Sequence, residues 1–317
     1  MMTDNKDFPQ QSRETDIEVA HRELTRQLTR ACVLEVTARK LGNVHPEAEF
    51  DDLNVEDFLR SSAVAAPWFA KSGQIGVGRA VWGGVSATHR AVGTNTNLGI
   101  ALLLAPLAAV PADKKLTAGI PHVLDALTLE DAHEVYAAIR LLNPGGLGEA
   151  ESGDVVQGPT GTLREMMRLA ADRDLIAAQY VDNFSLVLDW GCGEFQEWMR
   201  RLGSTNSRPA EDHWEIAVIG LQLRLLSEHG DSLIARKCGA KVSGDASRQA
   251  RRVLEQGWPD TPQGEAEFDR FDRWLRGDGH RRNPGTTADL IAAILFATLR
   301  DHSPTLKALN QVPLPLL

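Results

Sequence analysis

The stretch Arg281-Arg282-Asn283-Pro284-Gly285-Thr286-Thr287-Ala288-Asp289, running straight into Leu290-Ile-Ala-Ala-Ile-Leu-Phe-Ala-Thr-Leu299, sets the terms on which the rest of the chain is read. From Ala288 to Leu299 it is apolar nearly all round, the pattern of a helix buried on every side. Such a helix sits at the centre of a core, and the sequence before it supplies the helices to surround it. Thr15 with Glu18 forms a capping-box pattern, and Ile17, Ala20, Leu24, Leu28, Ala31 and Leu34 recur every three to four positions. That first helix is expected to end near Lys40, with Gly42 as its C-cap. Asn54 with Asp57 opens a second helix through Phe69, and Thr162 with Glu165 opens one running through Met166, Leu169, Ile176 and Tyr180. Trp214 to Glu228 carries Ile216, Ile219, Leu223 and Leu226 on one face and stops at Gly230. Sustained alternation is missing, so the fold class is expected to be all-α, a single globular domain over residues 15–302 with a flexible segment 1–14 and a tail 303–317.

A chain of 317 residues can bury one substantial core. Its net charge is −9 and its cations are scattered, which argues against a nucleic-acid partner. A nucleotide remains compatible, since a few convergent Arg and Lys and a divalent metal can neutralise polyphosphate locally. Cys32, Cys192 and Cys238 are far apart and form no CxxC pair, which fits a reducing cytoplasm rather than a disulfide framework or a zinc site. Residues Met1 to Arg13 lack the apolar core of a signal peptide, so no export is expected. The run Ile100 to Val110 is about half of the roughly 20 residues a bilayer requires and contains Pro106, so it reads as a buried helix and no membrane partner is expected.

Three turns are candidates for chemistry. Gly93-Thr94-Asn95-Thr96-Asn97-Leu98-Gly99 delivers amides, hydroxyls and free N–H groups to the start of an apolar helix, which suits an anion and equally suits plain capping. The turn Asn283 to Asp289 brings two arginines before a helix start, with Asp289 where the dipole favours a carboxylate and where a simple cap would also place it. Lys40-Leu41-Gly42-Asn43-Val44-His45 ends a helix with an amide and a histidine side by side. Breaking an N-glycosidic bond develops positive charge at the anomeric carbon, which a carboxylate can stabilise, and Asp174, Asp182 and Asp289 are the candidates. Asp174 and Asp182, about two turns apart on one predicted helix, are expected to share a side, with Asn183 beside the second; a solvated face would explain the same spacing. The stretch from His229 to Lys237 adds Asp231 and the adjacent cations Arg236 and Lys237. No GxxxxGK[ST], HExxH, GxSxG or GxGxxG motif occurs, and the other histidines are isolated, so P-loop, zincin and Rossmann chemistry are disfavoured.

In this order the turns resemble those of the triphosphoribosyl-dephospho-CoA synthase family, which has an early lysine-proline-glycine turn, a central asparagine-threonine turn and a late asparagine-proline-glycine turn. The likeness also takes in Asn143-Pro144-Gly145-Gly146-Leu147-Gly148, Met166 to Tyr180 and Asp231 to Lys237, roughly residues 30 to 300. It implies an all-α transferase that moves the 5-triphosphoribosyl part of ATP to the 2′-hydroxyl of 3′-dephospho-CoA and releases adenine. By position it implies nucleotide binding at Lys40, Gly42, Asn43, His45, Asn95, Thr96, Asn97, Gly99, Asn183, Arg236, Lys237, Asn283, Gly285, Thr286 and Thr287. Asp182, Asp289 and Asp174 would be catalytic, with Asp182 or Asp289 on Mg²⁺. Leu41 stands where the family has proline and Leu98 where lysine is usual, features of a divergent branch. For that branch the alternative is an ATP-dependent enzyme of another cofactor pathway, such as tetrahydromethanopterin biosynthesis, with a pterin-type acceptor. A non-catalytic nucleotide binder and a plain helical scaffold are the remaining readings; a homodimer is compatible with the sequence, which does not fix the oligomeric state.

Overall fold

The computed structural model describes residues 16–142, 158–204, 209–301, 309–310 and 312–313. Among them are fifteen α-helices. The first half holds α1 (Asp16–Thr37), α2 (Val55–Phe69), α3 (Ser72–Ile75), α4 (Val77–Val92), α5 (Leu98–Ala108), α6 (Leu116–Asp125) and α7 (Leu129–Leu142). The second holds α8 (Leu163–Arg168), α9 (Leu175–Val181), α10 (Cys192–Gly203), α11 (His213–His229), α12 (Ser232–Cys238), α13 (Ala240–Glu255), α14 (Pro262–Arg276) and α15 (Gly285–Arg300). A π-helical segment, Leu186–Gly191, leads into α10, and Gly277–His280 is a short strand. The chain is all-α, as its periodicity requires.

The central helix is α15. Every residue from Leu290 to Leu299 is buried, and it packs against α1, α5, α11 and α12. The equally apolar α5 lies across it, with Ile100 to Ala108 buried throughout. No helix among the described residues is long and apolar enough to cross a membrane. Local capping signals behave as their chemistry dictates: Asn54 accepts from Asp57 N–H at 3.0 Å, and Thr162 and Glu165 form a complete capping box.

Three expectations are corrected. The helix opened at Thr162 does not continue to Tyr180, because the carboxylate of Asp174 takes the N–H groups of Ile176 and Ala177 and starts a new helix there. Residues 230–246 hold α12 and the start of α13, since Asp231 caps α12 in the same manner. Helix α1 stops at Thr37, so Gly42 is not its C-cap. Gly42 is instead needed for its φ of +68° and for space: a Cβ there would lie 2.8 Å from Leu275 Cβ. Beyond residue 302 the chain is not merely a tail, because Leu309 is fully buried and Arg30 donates to the carbonyls of Leu309 and Val312. Thr15 and the turn Asn143 to Gly148 lie outside the described residues.

Candidate functional site

Four helices begin in one place. The starts of α5, α9, α12 and α15 are tied together by short polar contacts across more than a hundred residues of sequence. Leu175 N–H donates to Ser232 Oγ at 3.4 Å, and Ser232 Oγ donates to Thr286 Oγ1 at 3.0 Å. Asp231 clamps two helices at once: one oxygen accepts from Ile234 N–H at 2.9 Å, the other from the N–H and hydroxyl of Thr287, both at 2.8 Å. Asp289 reaches from the first turn of α15 to the start of α5, where the backbone N–H of Ile100 works to lower its pKa. Gly99 leaves the room for it, since a Cβ at that position would fall 2.0 Å from Asp289 Oδ2. The N–H groups of Gly99 and Thr286 have no partner among the described residues, so two helix N-termini keep a free donor at this junction.

The electrostatics are unusual. Burial raises the pKa of Asp289 well above the ordinary carboxylate value, and the charges of Glu35, Asp231 and Asp174 raise it further. Asp289 keeps part of its surface open, yet burial still dominates. Asp231 is also raised, by burial first, against the N–H donors that pull it down. Arg236 lies 3.9 Å from Asp174 Oδ2, and Lys237 beside it is lowered by burial and then by Arg236. Acids thus outnumber cations at a junction where helix dipoles favour anions. A carboxylate held with a raised pKa suits proton transfer near neutrality.

The early turn lies against this junction and is built differently from the expectation. Lys40 is fully buried; its ammonium pairs with buried Glu35 at 2.9 Å and donates to the Glu35 carbonyl. That commitment takes its charge out of reach of a phosphate. Asn43 donates to Asn283 Oδ1 at 2.6 Å and joins the early turn to the late one, while Gly42 N–H donates to Asp272 Oδ1 at 2.8 Å. The pKa of His45 falls to about 4, by burial first and then by Arg276 and Lys40, so the ring is neutral at neutral pH. Its Nδ1 accepts from Glu47 N–H at 3.3 Å, which assigns the proton to Nε2 and leaves His45 a neutral donor, not a cation.

The central turn spends most of its side chains on itself. Asn95 is exposed and accepts from Leu98 N–H at 3.2 Å, a local cap. Thr96 pairs with Ser61 at 2.5 Å and Asn97 donates to Thr88 at 2.8 Å, both buried behind α5. What this turn offers the junction is Gly99 and the N-terminus of α5. Asp182 and Asn183 are not at the junction. Asp174 is the N-cap and Asp182 the C-cap of α9, so about eight residues of helical rise, on the order of 12 Å, separate them. Asp182 is exposed, and Asn183 accepts from Arg164 at 2.8 Å at the far end of the helix. The expectation of a shared site fails because the two carboxylates stand at opposite ends of α9, one at its N-cap and the other at its C-cap. The site residues brought together are Asp174, Asp289, Gly99, Gly285, Thr286, Thr287 and Arg236, with Lys237 adjoining and the Asn43–Asn283 clasp alongside.

Glu35 and Gln222, which sequence reasoning did not single out, shape this site, as does Asp231, singled out only as an acid near two cations. Asp231 followed by Ser232 reads as an N-cap, but its second grip on Thr287 spans 56 positions and leaves no local trace. Glu35 and Gln222 stand on helices where a polar residue normally marks the solvated face. Among the described residues no group of three or more His, Cys, Asp or Glu side chains could hold a metal ion.

A family model described as ATP:dephospho-CoA triphosphoribosyl transferase matches residues 21–307. A solved structure from Archaeoglobus fulgidus, assigned as a triphosphoribosyl-dephospho-CoA synthase, is 25% identical with a TM-score of 0.57, over 77% of this chain and 98% of that one. No curated protein matches the chain. The family match spans every element of the junction, from Glu35 at its base to Asp289 at its rim, and this chain belongs to the ATP:dephospho-CoA triphosphoribosyl transferase family.

Proposed function

We propose that the chain transfers the 5-triphosphoribosyl group of ATP to the ribose 2′-hydroxyl of 3′-dephospho-CoA, releasing adenine, and that the junction of four helix N-termini is where this happens. The observation that carries the reading is Asp289, a carboxylate held above its ordinary pKa beside two free helix N–H groups. In the reaction the bond between the anomeric carbon and adenine N9 breaks, a bond from that carbon to the acceptor oxygen forms, and the hydroxyl proton ends on the departing base. Asp289 receives the hydroxyl proton. Asp174, held by Arg236, supplies negative charge to the oxocarbenium-like centre. The N–H groups of Gly99 and Thr286, with Arg236 and Lys237, face the triphosphate.

Mg²⁺ would neutralise part of the triphosphate charge, and Asp289 or Asp174 would be the junction carboxylate to hold it. The test is incubation of the protein with MgATP and 3′-dephospho-CoA, following free adenine by chromatography and the acceptor by mass. Stoichiometric adenine with an acceptor heavier by one triphosphoribosyl group is the expected outcome. Adenine formed only with a pterin-type acceptor would move the chain to another cofactor pathway, and ATP binding with no adenine at all would make it a binder.

A further inference from the structure

We propose that Gln222, in the middle of α11, is a positioning residue of the transfer, setting through Asn43 where the late turn at the start of α15 sits. Gln222 is fully buried in α11, between the fully buried Leu221 and Leu223. An amide in that setting is costly unless its hydrogen bonds are all made. Gln222 makes three: Oε1 accepts from Leu41 N–H at 2.9 Å, and Nε2 donates to Leu41 O at 2.9 Å and to Asn43 Oδ1 at 2.8 Å.

The direction of this chain of contacts is fixed from one end. A backbone N–H and C=O cannot exchange places, so Leu41 dictates which end of the Gln222 amide is oxygen. Gln222 then presents a donor to Asn43, which fixes Asn43 Oδ1 as the acceptor. Asn43 is left with only its Nδ2 for the late turn, and spends it on Asn283 Oδ1 at 2.6 Å and the Pro284 carbonyl at 3.4 Å. Pro284 immediately precedes Gly285 and Thr286, whose backbone forms the first turn of α15. The early turn has separate supports, since Asp272 holds Gly42 N–H and Arg276 Nη2 donates to Asn43 O at 2.6 Å. Loss of Gln222 therefore frees Leu41 and Asn43 Oδ1 while Gly42 and the Asn43 carbonyl stay held, and the effect passes through the Asn43 side chain to the late turn.

The inference rests on the reading that the late turn faces ATP, so Asp289→Asn is assayed beside it as the report on that reading. With the full chain, Gln222→Met and Asn43→Ala are each expected to raise KM for ATP about tenfold with kcat changed less than about threefold, and the double variant is expected to be no worse than either single one, as coupled sites behave. Should Gln222→Met fail to fold, Gln222→Glu keeps the contact to Leu41 N–H; its KM shift is expected to shrink relative to wild type as pH falls and the carboxyl regains a proton to donate. A Gln222 variant with a lowered Tm but wild-type KM and kcat, or shifts that add with those of Asn43→Ala, overturns the proposal while leaving the site reading intact. Full turnover in Asp289→Asn overturns the site reading, and this inference with it.

Discussion

Asp289→Asn is expected to slow adenine release severely and to leave a protein that, near neutral pH, is more stable than its parent. The two effects have one cause. Burial and the charges of Glu35, Asp231 and Asp174 raise the pKa of Asp289, so holding it ionised costs folding free energy. A group raised in the folded state stabilises fully only below its unfolded value, about 3.9, and that stability is lost as pH rises through the folded pKa. Asparagine escapes the loss and keeps an oxygen towards the start of α5. It cannot take a proton from an acceptor hydroxyl, and turnover is expected to fall by about 10²–10⁴. Melting curves across pH 4 to 8, run beside the adenine assay, read both quantities. Higher stability at neutral pH that vanishes near pH 4, together with lost turnover, is the expected pattern, an exchange of stability for activity familiar at functional sites. A variant that is inactive and less stable at every pH would make Asp289 a structural cap of α5.

Lys40→Met is expected to be the most destabilising single substitution in the early turn, at about 3–5 kcal/mol at neutral pH, because it strands the Glu35 carboxylate in the core. Burial already raises the Glu35 pKa, with Lys40 as the opposing influence. Without the lysine the rise becomes larger, so the deficit is greatest above the folded pKa and shrinks as pH falls towards the unfolded value near 4.3. Adding Glu35→Gln to Lys40→Met should recover much of the loss, since a neutral pair no longer buries an uncompensated charge. Denaturant titration of the single and double variants at two pH values measures this. Normal stability with weakened ATP binding in Lys40→Met would instead place the ammonium against the nucleotide, as the turn alone suggests.

How far the sequence carries depends on the range of each signal. Helix α15 was legible because its apolar residues are contiguous, and α2 because Asn54 and Asp57 are three residues apart. The long helix expected from Met166 to Tyr180 failed on a signal of the same range: Asp174 looks like a surface acid in periodic sequence, but its carboxylate outcompetes the helix for the N–H groups of Ile176 and Ala177. With Asp174 as the N-cap of α9, Asp182 and Asn183 follow its C-terminus, at the end away from the junction. Lys40 was legible as a turn cation and illegible as a buried one, because periodicity does not say which side of a turn faces the core. The junction itself could be foreseen in parts, at Gly99, Thr286, Thr287 and Asp289. Its closure by Asp231 on Thr287 and by Gln222 on Asn43 could not, since each joins positions far apart through a side chain that would be unremarkable on a surface.

The most direct measurement is a crystal structure of Asp289→Asn with ATP and Mg²⁺ bound, the substitution slowing turnover so that intact nucleotide persists. The triphosphate is expected at the first turns of α5 and α15, within reach of the N–H groups of Gly99 and Thr286 and of Arg236, with the anomeric carbon facing residue 289. Nucleotide bound away from this junction, with the N–H groups of Gly99 and Thr286 untouched, would contradict the assignment of the four helix starts as the site of transfer.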